Sequence, residues 1–210
     1  MIQAICFDVD GTLIDTTDYI YQAFEHSLAD HDHDVLSRDE MQHMIGQTLQ
    51  DCYRAFAEID DVDHLMDSHH AFQNENPQLA VSYPNTKRTL IELKKRGIAV
   101  AAVTSRARET AVETLELLDL FQYIDTLVGL EDVSLAKPDP EGIFLALNTL
   151  GMHPADAVMV GDSDVDIEAG KNAKMMTIGV TYGFHGESIV DAEPDHVIDD
   201  IAEVLEIVEG

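Results

Sequence analysis

Residues 1–16 of the 210-residue chain read MIQAICFDVDGTLIDT, an apolar run that leads into two aspartates. The run from Ile2 to Val9 has the length and composition of a strand covered on both faces. Asp before Gly is common turn chemistry and would by itself explain the pair. Because Val9 separates Asp8 from Asp10, an extended backbone would put both carboxylates on one face. Two carboxylates about 4 Å apart repel by roughly 4 kcal/mol at an effective dielectric near 20, so we expect a positive group between them.

The bulk composition indicates one sizeable core that carries a smaller insert. Two cysteines, Cys6 and Cys52, are too few for a disulfide framework, and we expect both to be core residues in a reducing compartment. No stretch approaches the run of about 18 apolar residues that a membrane helix needs, and the N-terminus shows no signal pattern. The sequence therefore predicts a soluble, cytoplasmic protein.

The charge balance excludes two classes of partner. The chain has 41 acidic and 12 basic residues, for a formal charge of −29. Nucleic acids and anionic membranes both require a basic face, so neither is expected as a partner. The acidity suits solubility in high salt or in an acidified cell, and the sequence does not choose between these conditions.

Apolar runs alternate with helical patterns along most of the chain. The predicted strands are Ile2–Val9, Ile98–Val103, Ile124–Val128, Ala157–Val160 and Met176–Val180. The predicted helices between them are Thr86–Arg96, Glu109–Leu118, Glu141–Leu150 and Asp166–Ala173. This alternation predicts an α/β fold with right-handed crossovers and a doubly wound parallel sheet.

One interval, from about Thr16 to Tyr83, contains no strand-like run. Four segments there have amphipathic helical spacing: Tyr19–Ala29, Arg38–Ile45, Leu49–Ile59 and Val62–Glu75. We therefore expect an all-helical domain at residues 16–83, inserted into an α/β core domain made of residues 1–15 and 84–210. The HDHD loop, His31–Asp34, could bind a metal, but an exposed polar loop is the simpler interpretation.

Polar side chains are concentrated where the predicted strands end, which is where ligands bind in an open parallel sheet. They are Asp8, Asp10, Thr12, Thr104, Ser105, Lys137, Asp162 and Asp166. Singly, each could be a helix cap, a turn or a surface residue. Together, the four carboxylates fit a magnesium site, because Mg²⁺ takes oxygen ligands and would offset their mutual repulsion.

Other phosphate and metal motifs are not supported. Asp162, Asp164 and Asp166 resemble the first half of an EF-hand loop, but the sixth and twelfth positions are Ile167 and Ala173 instead of glycine and glutamate. The chain has no G-x-x-x-x-G-K-[ST], G-x-G-x-x-G or G-x-S-x-G motif. Nucleotide-kinase, dinucleotide-binding and serine-hydrolase functions therefore lose their main support.

The chain resembles the haloacid dehalogenase-like (HAD) superfamily along essentially its whole length. FDVDGTLIDT, VTSR, KPDP and GDSDVD look like the four motifs of that family, in order. The helical interval resembles the cap domain of its phosphoglycolate phosphatase-like branch, and IGQTLQD and TYGFHGE look like the same branch. The resemblance implies a Rossmann-like core, an inserted cap and a Mg²⁺-dependent phosphatase activity.

The resemblance also implies roles for the motif residues. Asp8 would attack phosphorus and form an aspartyl-phosphate, and Asp10 would act as general acid and then as general base. Lys137 and Thr104 would stabilise the transferring phosphoryl group. Haloacid dehalogenases themselves lack the second aspartate, so Asp10 favours phosphoryl over carbon–halogen chemistry.

The metal and substrate contacts follow from the same resemblance. The implied magnesium ligands are Asp8, the backbone carbonyl of Asp10, Asp162 and Asp166, and the sequence does not decide which of the last two touches the ion. The candidate substrate contacts are Thr12, Thr16, Gly46, Gln47, Ser105 and Arg106. Arg106 is included because a guanidinium just past the second motif could meet a second anionic group.

The expected activity is hydrolysis of a small phosphorylated metabolite, with 2-phosphoglycolate as the emblematic substrate of the family. Inorganic pyrophosphatase is the second candidate. A β-phosphoglucomutase is weaker, since SRARET at residues 105–110 replaces its glycine-containing stretch. A phospho-acceptor domain comes from another class, but its acidic pair usually lies adjacent in sequence. The expected partner is a small phosphorylated substrate, and the chain would act as a monomer or homodimer.

Overall fold

The computed structural model of the protein describes residues 2–42, 44 and 47–209. Its strands are β1 Ala4–Phe7, β2 Ile14–Asp15, β3 Val81–Ser82, β4 Ala99–Val103, β5 Thr126–Val128, β6 Ala157–Gly161, β7 Met176–Val180 and β8 His196–Ile198. Six of them form one parallel sheet in the order β5-β4-β1-β6-β7-β8. The predicted α/β fold with a parallel sheet is thus confirmed.

Three short strands were not predicted. The expectation of no strand between about Thr16 and Tyr83 is wrong at β3, which pairs antiparallel with β2. A two-residue strand carries too little periodicity to be recognised, and both residues of β3 are exposed. β8 lies at the sheet edge with its first two residues exposed, so it lacks the continuous apolar run of the inner strands.

The helices are α1 Thr17–Asp30, α2 Arg38–Gln42, α3 Leu49–Ala57, α4 Asp63–Glu75, α5 Thr86–Lys95, α6 Arg108–Leu117, α7 Glu141–Leu150, α8 Asp164–Asn172 and α9 Val204–Ile207. The four helices predicted between the sheet strands are confirmed to within two residues at each end. In the first interval, α1, α3 and α4 are confirmed in the same way. Helix α2 covers Arg38–Gln42, and the predicted end of this helix, Ile45, lies outside the described residues. None of the helices in the described part of the chain is long and apolar enough to cross a membrane.

The central strand β1 is buried on both faces. Ile5 and Phe7 belong to one apolar cluster, while Ala4 and Cys6 belong to another on the opposite face of the sheet. This follows from the period of two in an extended backbone. Helices α1 to α4 contribute most of a third cluster, which Phe184 joins from the segment after β7.

The path of the chain after β1 places the first functional residues. The amide of Asp8 donates to the carbonyl of Val160 at 2.9 Å, which continues the pairing of β1 with β6 beyond the strand. The chain then turns, passes through β2 into helices α1 to α4, and returns through β3, so the two-stranded ribbon joins the helices to the sheet. The division into domains at residues 16–83 stays a prediction.

Candidate active site

Three neighbouring strands deliver acidic and hydroxyl side chains to one edge of the sheet. Asp8 follows β1, Thr104 follows β4 and Asp162 follows β6, and these strands are adjacent in the order β4-β1-β6. Asp166 lies in the first turn of α8, which begins just after β6. Asp8, Asp162 and Asp166 each have a carboxylate oxygen within 4.8 Å of the others, and all three are buried. The strand ends therefore assemble a compact acidic cluster.

Lys137 lies inside this cluster. Its Nζ donates to Asp8 Oδ1 at 2.6 Å, to Asp166 Oδ1 at 2.6 Å and to the carbonyl of Val103 at 3.2 Å. The side chain is only 6% exposed, so the two ion pairs are shielded from water. The positive group that the sequence requires near Asp8 is thus present, although it bridges to Asp166 and not to Asp10.

The two carboxylates after β6 are held differently. Asp166 Oδ2 accepts from the amide of Ser163 at 3.2 Å and from its hydroxyl at 2.6 Å, at the start of α8. Asp162 Oδ2 accepts from the amide of Phe184 at 2.7 Å. A Cβ on Gly11 would lie 2.3 Å from Asp162 Oδ2, and the φ of Gly11 is +84°. Glycine at this position therefore lets the loop after β1 approach Asp162.

The cluster has more negative than positive charge. Burial, opposed by Lys137 and reinforced by Asp166, raises the pKa of Asp8 to about 7. Burial, with further contributions from Asp166 and Asp8, raises the pKa of Asp162 well above its usual value. Burial alone would lower the pKa of Lys137, but the charges of Asp166 and Asp8 raise it overall, so the ammonium stays charged. An excess of buried carboxylate oxygens is the donor set that Mg²⁺ prefers, so these residues fit that ion.

Asp10 has a cation of its own. Arg106 Nη1 donates to Asp10 Oδ1 at 3.2 Å. The same guanidinium donates to the hydroxyls of Tyr19 at 3.2 Å, Thr110 at 2.9 Å and Thr114 at 2.8 Å. The two members of the ion pair are 13% and 14% exposed. Each aspartate of the opening motif is therefore paired with a different basic residue.

The turn after β4 presents two hydroxyls. Thr104 Oγ1 accepts from the amide of Arg106 at 3.1 Å, which fixes the turn. Ser105 Oγ is buried and has no hydrogen-bond partner within the part of the chain that the structure describes. Both residues line the same cavity as Asp8. A ligand oxygen in that cavity would provide the partner that Ser105 needs.

A cavity of about 160 Å³ separates the strand ends from helices α1, α3 and α4. We call its first wall the strand-end side, formed by Asp8, Asp10, Thr104, Ser105, Arg106, Lys137 and Asp166. We call the opposite wall the helical side, formed by Ile20, Phe24, Gln47, Leu49, Cys52, Met66, His69, His70 and Gln73. Most of the predicted site residues, including Gln47, thus face one cavity.

Three of the predicted site residues that the structure describes do not line the cavity. Thr12 and Thr16 are fully buried and do not line the cavity, and their hydroxyls have no partner among the described residues. The tight turn after Asp10, in which the amide of Thr12 approaches the carbonyl of Val9 at 3.4 Å, carries Thr12 into the interior. Asp162 is buried within the acidic cluster, away from the cavity wall. Gly46 lies outside the described residues.

Apart from Gln47, sequence reasoning missed the polar residues of the helical side. His69 Nδ1 is 2.9 Å from the hydroxyl of Tyr53, and burial, His70 and Arg106 together lower the pKa of His69 well below its usual value. The pKa of His70 is lowered by burial and by Arg106, with Asp67 opposing. Both rings are therefore held in the neutral form. Their position on the inner face of the amphipathic helix α4 was the one available signal, and it does not distinguish a ligand contact from a core residue.

The chain belongs to the haloacid dehalogenase-like hydrolase family, whose model matches residues 5–180. It is 37% identical to pyrophosphatase PpaX of Bacillus velezensis over 210 residues, which covers 98% of this chain and 96% of that protein. The family predicted from the four motifs is thus confirmed.

Solved structures agree with this assignment. A protein of Haemophilus somnus described as a predicted phosphoglycolate phosphatase superimposes with a TM-score of 0.89 at 26% identity, covering 98% of this chain and 97% of that one. A predicted phosphatase of Clostridium acetobutylicum superimposes with a TM-score of 0.87 at 26% identity, covering all of both chains. The similarity includes the helical segment as well as the sheet.

Proposed function

We propose that the protein is a Mg²⁺-dependent phosphatase that hydrolyses a small phosphorylated metabolite through an aspartyl-phosphate on Asp8. The observation that carries this proposal is the setting of Asp8. Its carboxylate is bonded to Lys137, lies within 4.8 Å of Asp162 and Asp166, and faces the cavity beside Asp10. The end of β1 and its neighbours thereby supply a nucleophile in Asp8, a proton-transfer group in Asp10 and a cation in Lys137 that stabilises the phosphoryl group.

The reaction has two displacements. In the first, a carboxylate oxygen of Asp8 bonds to phosphorus while the bond to the leaving oxygen breaks, and protonated Asp10 gives its proton to that oxygen. In the second, a water oxygen bonds to phosphorus, Asp10 takes a proton from the water, and the bond to Asp8 breaks. Phosphate is released, and both aspartates return to their starting forms.

Other residues of the strand-end side hold the transferring group. The ammonium of Lys137 balances negative charge on the phosphoryl oxygens. The hydroxyl of Ser105, buried without a partner among the described residues, donates to one of those oxygens. Thr104, which shares the turn with Ser105, contributes a second polar contact. These groups are already in place before substrate binds, so little free energy is needed to reorganise the site during the reaction.

The metal would be held by Asp8, the backbone carbonyl of Asp10 and Asp162. Asp162 suits direct coordination better than Asp166, because both oxygens of Asp166 accept from Lys137 or Ser163, whereas the Phe184 amide engages only Oδ2 of Asp162. Bound Mg²⁺ supplies positive charge that stabilises the phosphoryl oxygens and the cluster of carboxylates. Asp166 then serves to orient Lys137.

Two substrate classes have support within this reaction. The mainly apolar helical side, with neutral His69 and His70, favours a phosphate monoester with a small, weakly polar leaving group. Pyrophosphate is the second candidate, because a relative that is 37% identical over 98% of this chain is a pyrophosphatase. We take the monoester as the leading proposal, since Arg106, which lines the cavity and could otherwise meet a second phosphate, is engaged by Asp10.

Phosphate release from a panel of substrates tests the proposal. The panel contains 2-phosphoglycolate, pyrophosphate, sugar phosphates, nucleoside monophosphates and p-nitrophenyl phosphate, each with Mg²⁺ or with EDTA. We expect release that requires Mg²⁺ and disappears in Asp8→Asn. The matched control, Asp164→Asn, changes an exposed aspartate of α8 and is expected to remain active. Stable labelling of Asp8 by acetyl phosphate, without turnover of any substrate, would instead support a phospho-acceptor domain.

The remaining expectations concern partners and location. The formal charge of −29 opposes binding to nucleic acid or to an anionic membrane. All residues used in the mechanism come from one chain, so a monomer suffices and a homodimer is compatible. A cytoplasmic location is supported by the two cysteines, Cys6 and Cys52, which are both free and buried.

A further inference from the structure

We infer that Arg106 is a positioning residue that holds Asp10 in place for its two proton transfers. This assignment differs from the expectation that Arg106 meets an anionic group of the substrate. It rests on the proposed function, because it concerns the acid–base residue of that mechanism. The evidence is the set of four hydrogen bonds that the guanidinium makes to Asp10, Tyr19, Thr110 and Thr114.

Helix α6 provides two of these bonds from one face. Thr110 and Thr114 are four residues apart, so they lie one above the other on the helix. The hydroxyl of Thr110 donates to the carbonyl of Ala107 at 3.0 Å, and that of Thr114 donates to the carbonyl of Thr110 at 2.9 Å. Because each hydroxyl proton is used in this way, the oxygen lone pairs are directed at the guanidinium of Arg106. The site is therefore built to receive an arginine.

Helix α1 supplies the third acceptor, the hydroxyl of Tyr19. Arg106 thus contacts helices α1 and α6 and the loop that follows β1. Its planar guanidinium presents several donors in a fixed geometry, so three hydroxyls determine the direction in which the fourth bond points. That fourth bond is the one to Asp10 Oδ1.

The bond to Asp10 fits an acid–base role. A group that moves a proton must lie within about 2.6–3.2 Å of the atom that gives or takes it, so a freely rotating carboxylate would be less effective. Arg106 fixes the carboxylate through Oδ1, and Oδ2 is the oxygen left to carry the proton. The groups that face Arg106 from the neighbouring elements are Tyr19 on α1, Thr110 and Thr114 on α6, and the neutral rings of His69 and His70 on α4.

An activated substrate separates this role from the alternatives. With p-nitrophenyl phosphate, the bond from Asp8 to phosphorus forms while the bond to p-nitrophenolate breaks, and the phenolate leaves as an anion without needing a proton. The second step still needs Asp10, which takes a proton from the attacking water as the bond to Asp8 breaks. Loss of the positioning residue should therefore spare the first step and slow the second.

The experiment is rapid mixing of the full chain, with Mg²⁺, against p-nitrophenyl phosphate. For Arg106→Met we expect a p-nitrophenol burst within about 3-fold of the wild-type rate, and steady-state kcat about 10- to 100-fold lower, since acid–base catalysis is typically worth about 10²- to 10⁴-fold. Phosphorylated Asp8 should accumulate, and Asp10→Asn should show the same pattern. Arg106→Lys should recover part of kcat. The control Arg108→Met, which removes an exposed arginine paired with Asp132, should behave as wild type.

Two outcomes would overturn the inference. A raised KM with unchanged kcat in Arg106→Met would show that the guanidinium binds substrate, and an equal fall in burst and turnover would show a purely structural role. If Arg106→Met does not fold, Thr114→Val can replace it, because it removes one hydrogen-bond acceptor of the guanidinium. Thr114→Val should leave the burst rate unchanged and lower the steady-state kcat by about 3- to 10-fold. A burst that persists in Asp8→Asn would contradict the proposed function itself, independently of Arg106.

Discussion

The two walls of the cavity differ in how their polar groups are held. On the strand-end side, Lys137 is fixed by two carboxylates and Arg106 by four side chains. On the helical side the wall is mainly apolar, and its histidines are neutral. The strand-end side is a network of ion pairs and hydrogen bonds with defined geometry. The helical side is a surface of apolar and neutral polar side chains, whose shape decides what fits against it.

Under the proposed function, the strand-end side carries out the reaction and the helical side selects the substrate. Adjacent parallel strands are fixed relative to one another by their hydrogen bonds, so side chains at their ends can be placed accurately enough for chemistry. A wall of packed helices can change its side chains without disturbing that geometry. We therefore expect substitutions on the strand-end side to reduce the rate for all substrates, and substitutions on the helical side to change the ranking of substrates.

The largest effect is expected for Lys137→Met. It removes the ammonium that neutralises Asp8 and Asp166, so kcat should fall by at least about 10³-fold. Stability should also fall by about 3–5 kcal/mol, because a buried charge pair is broken from one side. Urea unfolding measures this loss, and Lys94→Met, which breaks a more exposed pair with Asp125, is the matched control. Equal stability of the two variants would show that the buried network contributes nothing.

Asp162→Asn should lower kcat by about 10²- to 10³-fold and abolish the stabilisation that Mg²⁺ gives the protein. The reason is that Asp162 lies in the cluster of buried carboxylates and has an oxygen outside its bond to the Phe184 amide. The measurement is the thermal midpoint with and without Mg²⁺, beside Asp164→Asn as control. A Mg²⁺-dependent rise that survives in Asp162→Asn would assign the direct ligand to another residue.

Acidification should weaken the helical side through His69. Burial, His70 and Arg106 hold the pKa of His69 well below 6.5, so the unfolded chain binds this proton first as the pH falls. The contribution of His69 to the free energy of unfolding should therefore decrease below about pH 6.5, by at most about 1.4 kcal/mol per pH unit, until its folded pKa is reached. The raised pKa values of Asp8 and Asp162 act in the opposite direction, so the contribution of His69 is the difference in unfolding free energy between the wild type and His69→Gln. Urea unfolding between about pH 7.5 and 5.5 should show this difference falling with pH, and the matched comparison with His153→Gln, at an exposed histidine, should show no such fall. A difference for His69→Gln that does not change with pH would refute the prediction.

The smallest effect is expected for His70→Ala. The ring lines the cavity, and its buried Nδ1 has no hydrogen-bond partner among the described residues, so its loss should alter leaving-group preference by about 10-fold or less. The ratio of kcat/KM for 2-phosphoglycolate and pyrophosphate measures this change, with p-nitrophenyl phosphate as reference. A uniform loss for every substrate would place His70 with the catalytic residues instead.

The sequence predicts the strand-end side better than the helical side. Asp8, Thr104, Lys137 and Asp166 could be placed at one rim because the carboxyl ends of parallel strands converge, and this needs no knowledge of packing. The partner of Arg106 could not be predicted in this way. Its bonds depend on rotamers and on the approach of α1 to α6, which are properties of the packed structure.

The same limit applies to the cavity wall and to the edge of the sheet. Amphipathic spacing predicts α4, but it does not tell whether His69 and His70 face a core or a ligand. Thr12 and Thr16 illustrate the reverse problem, since residues next to a catalytic motif were expected at the cavity and are instead fully buried. The short strands β2, β3 and β8 carry too few buried positions to leave a pattern.

The central claim, that Asp8 carries the phosphoryl group, is tested most directly by rapid acid quenching during turnover followed by mass spectrometry of the peptides. With p-nitrophenyl phosphate as substrate, we predict a phosphoryl group on Asp8 in the wild-type protein, and a larger amount in Asp10→Asn, because the leaving group needs no proton whereas water attack is slowed. The label should be absent from Asp8→Asn. Steady hydrolysis with no phosphorylated Asp8 in either the wild type or Asp10→Asn would contradict the account.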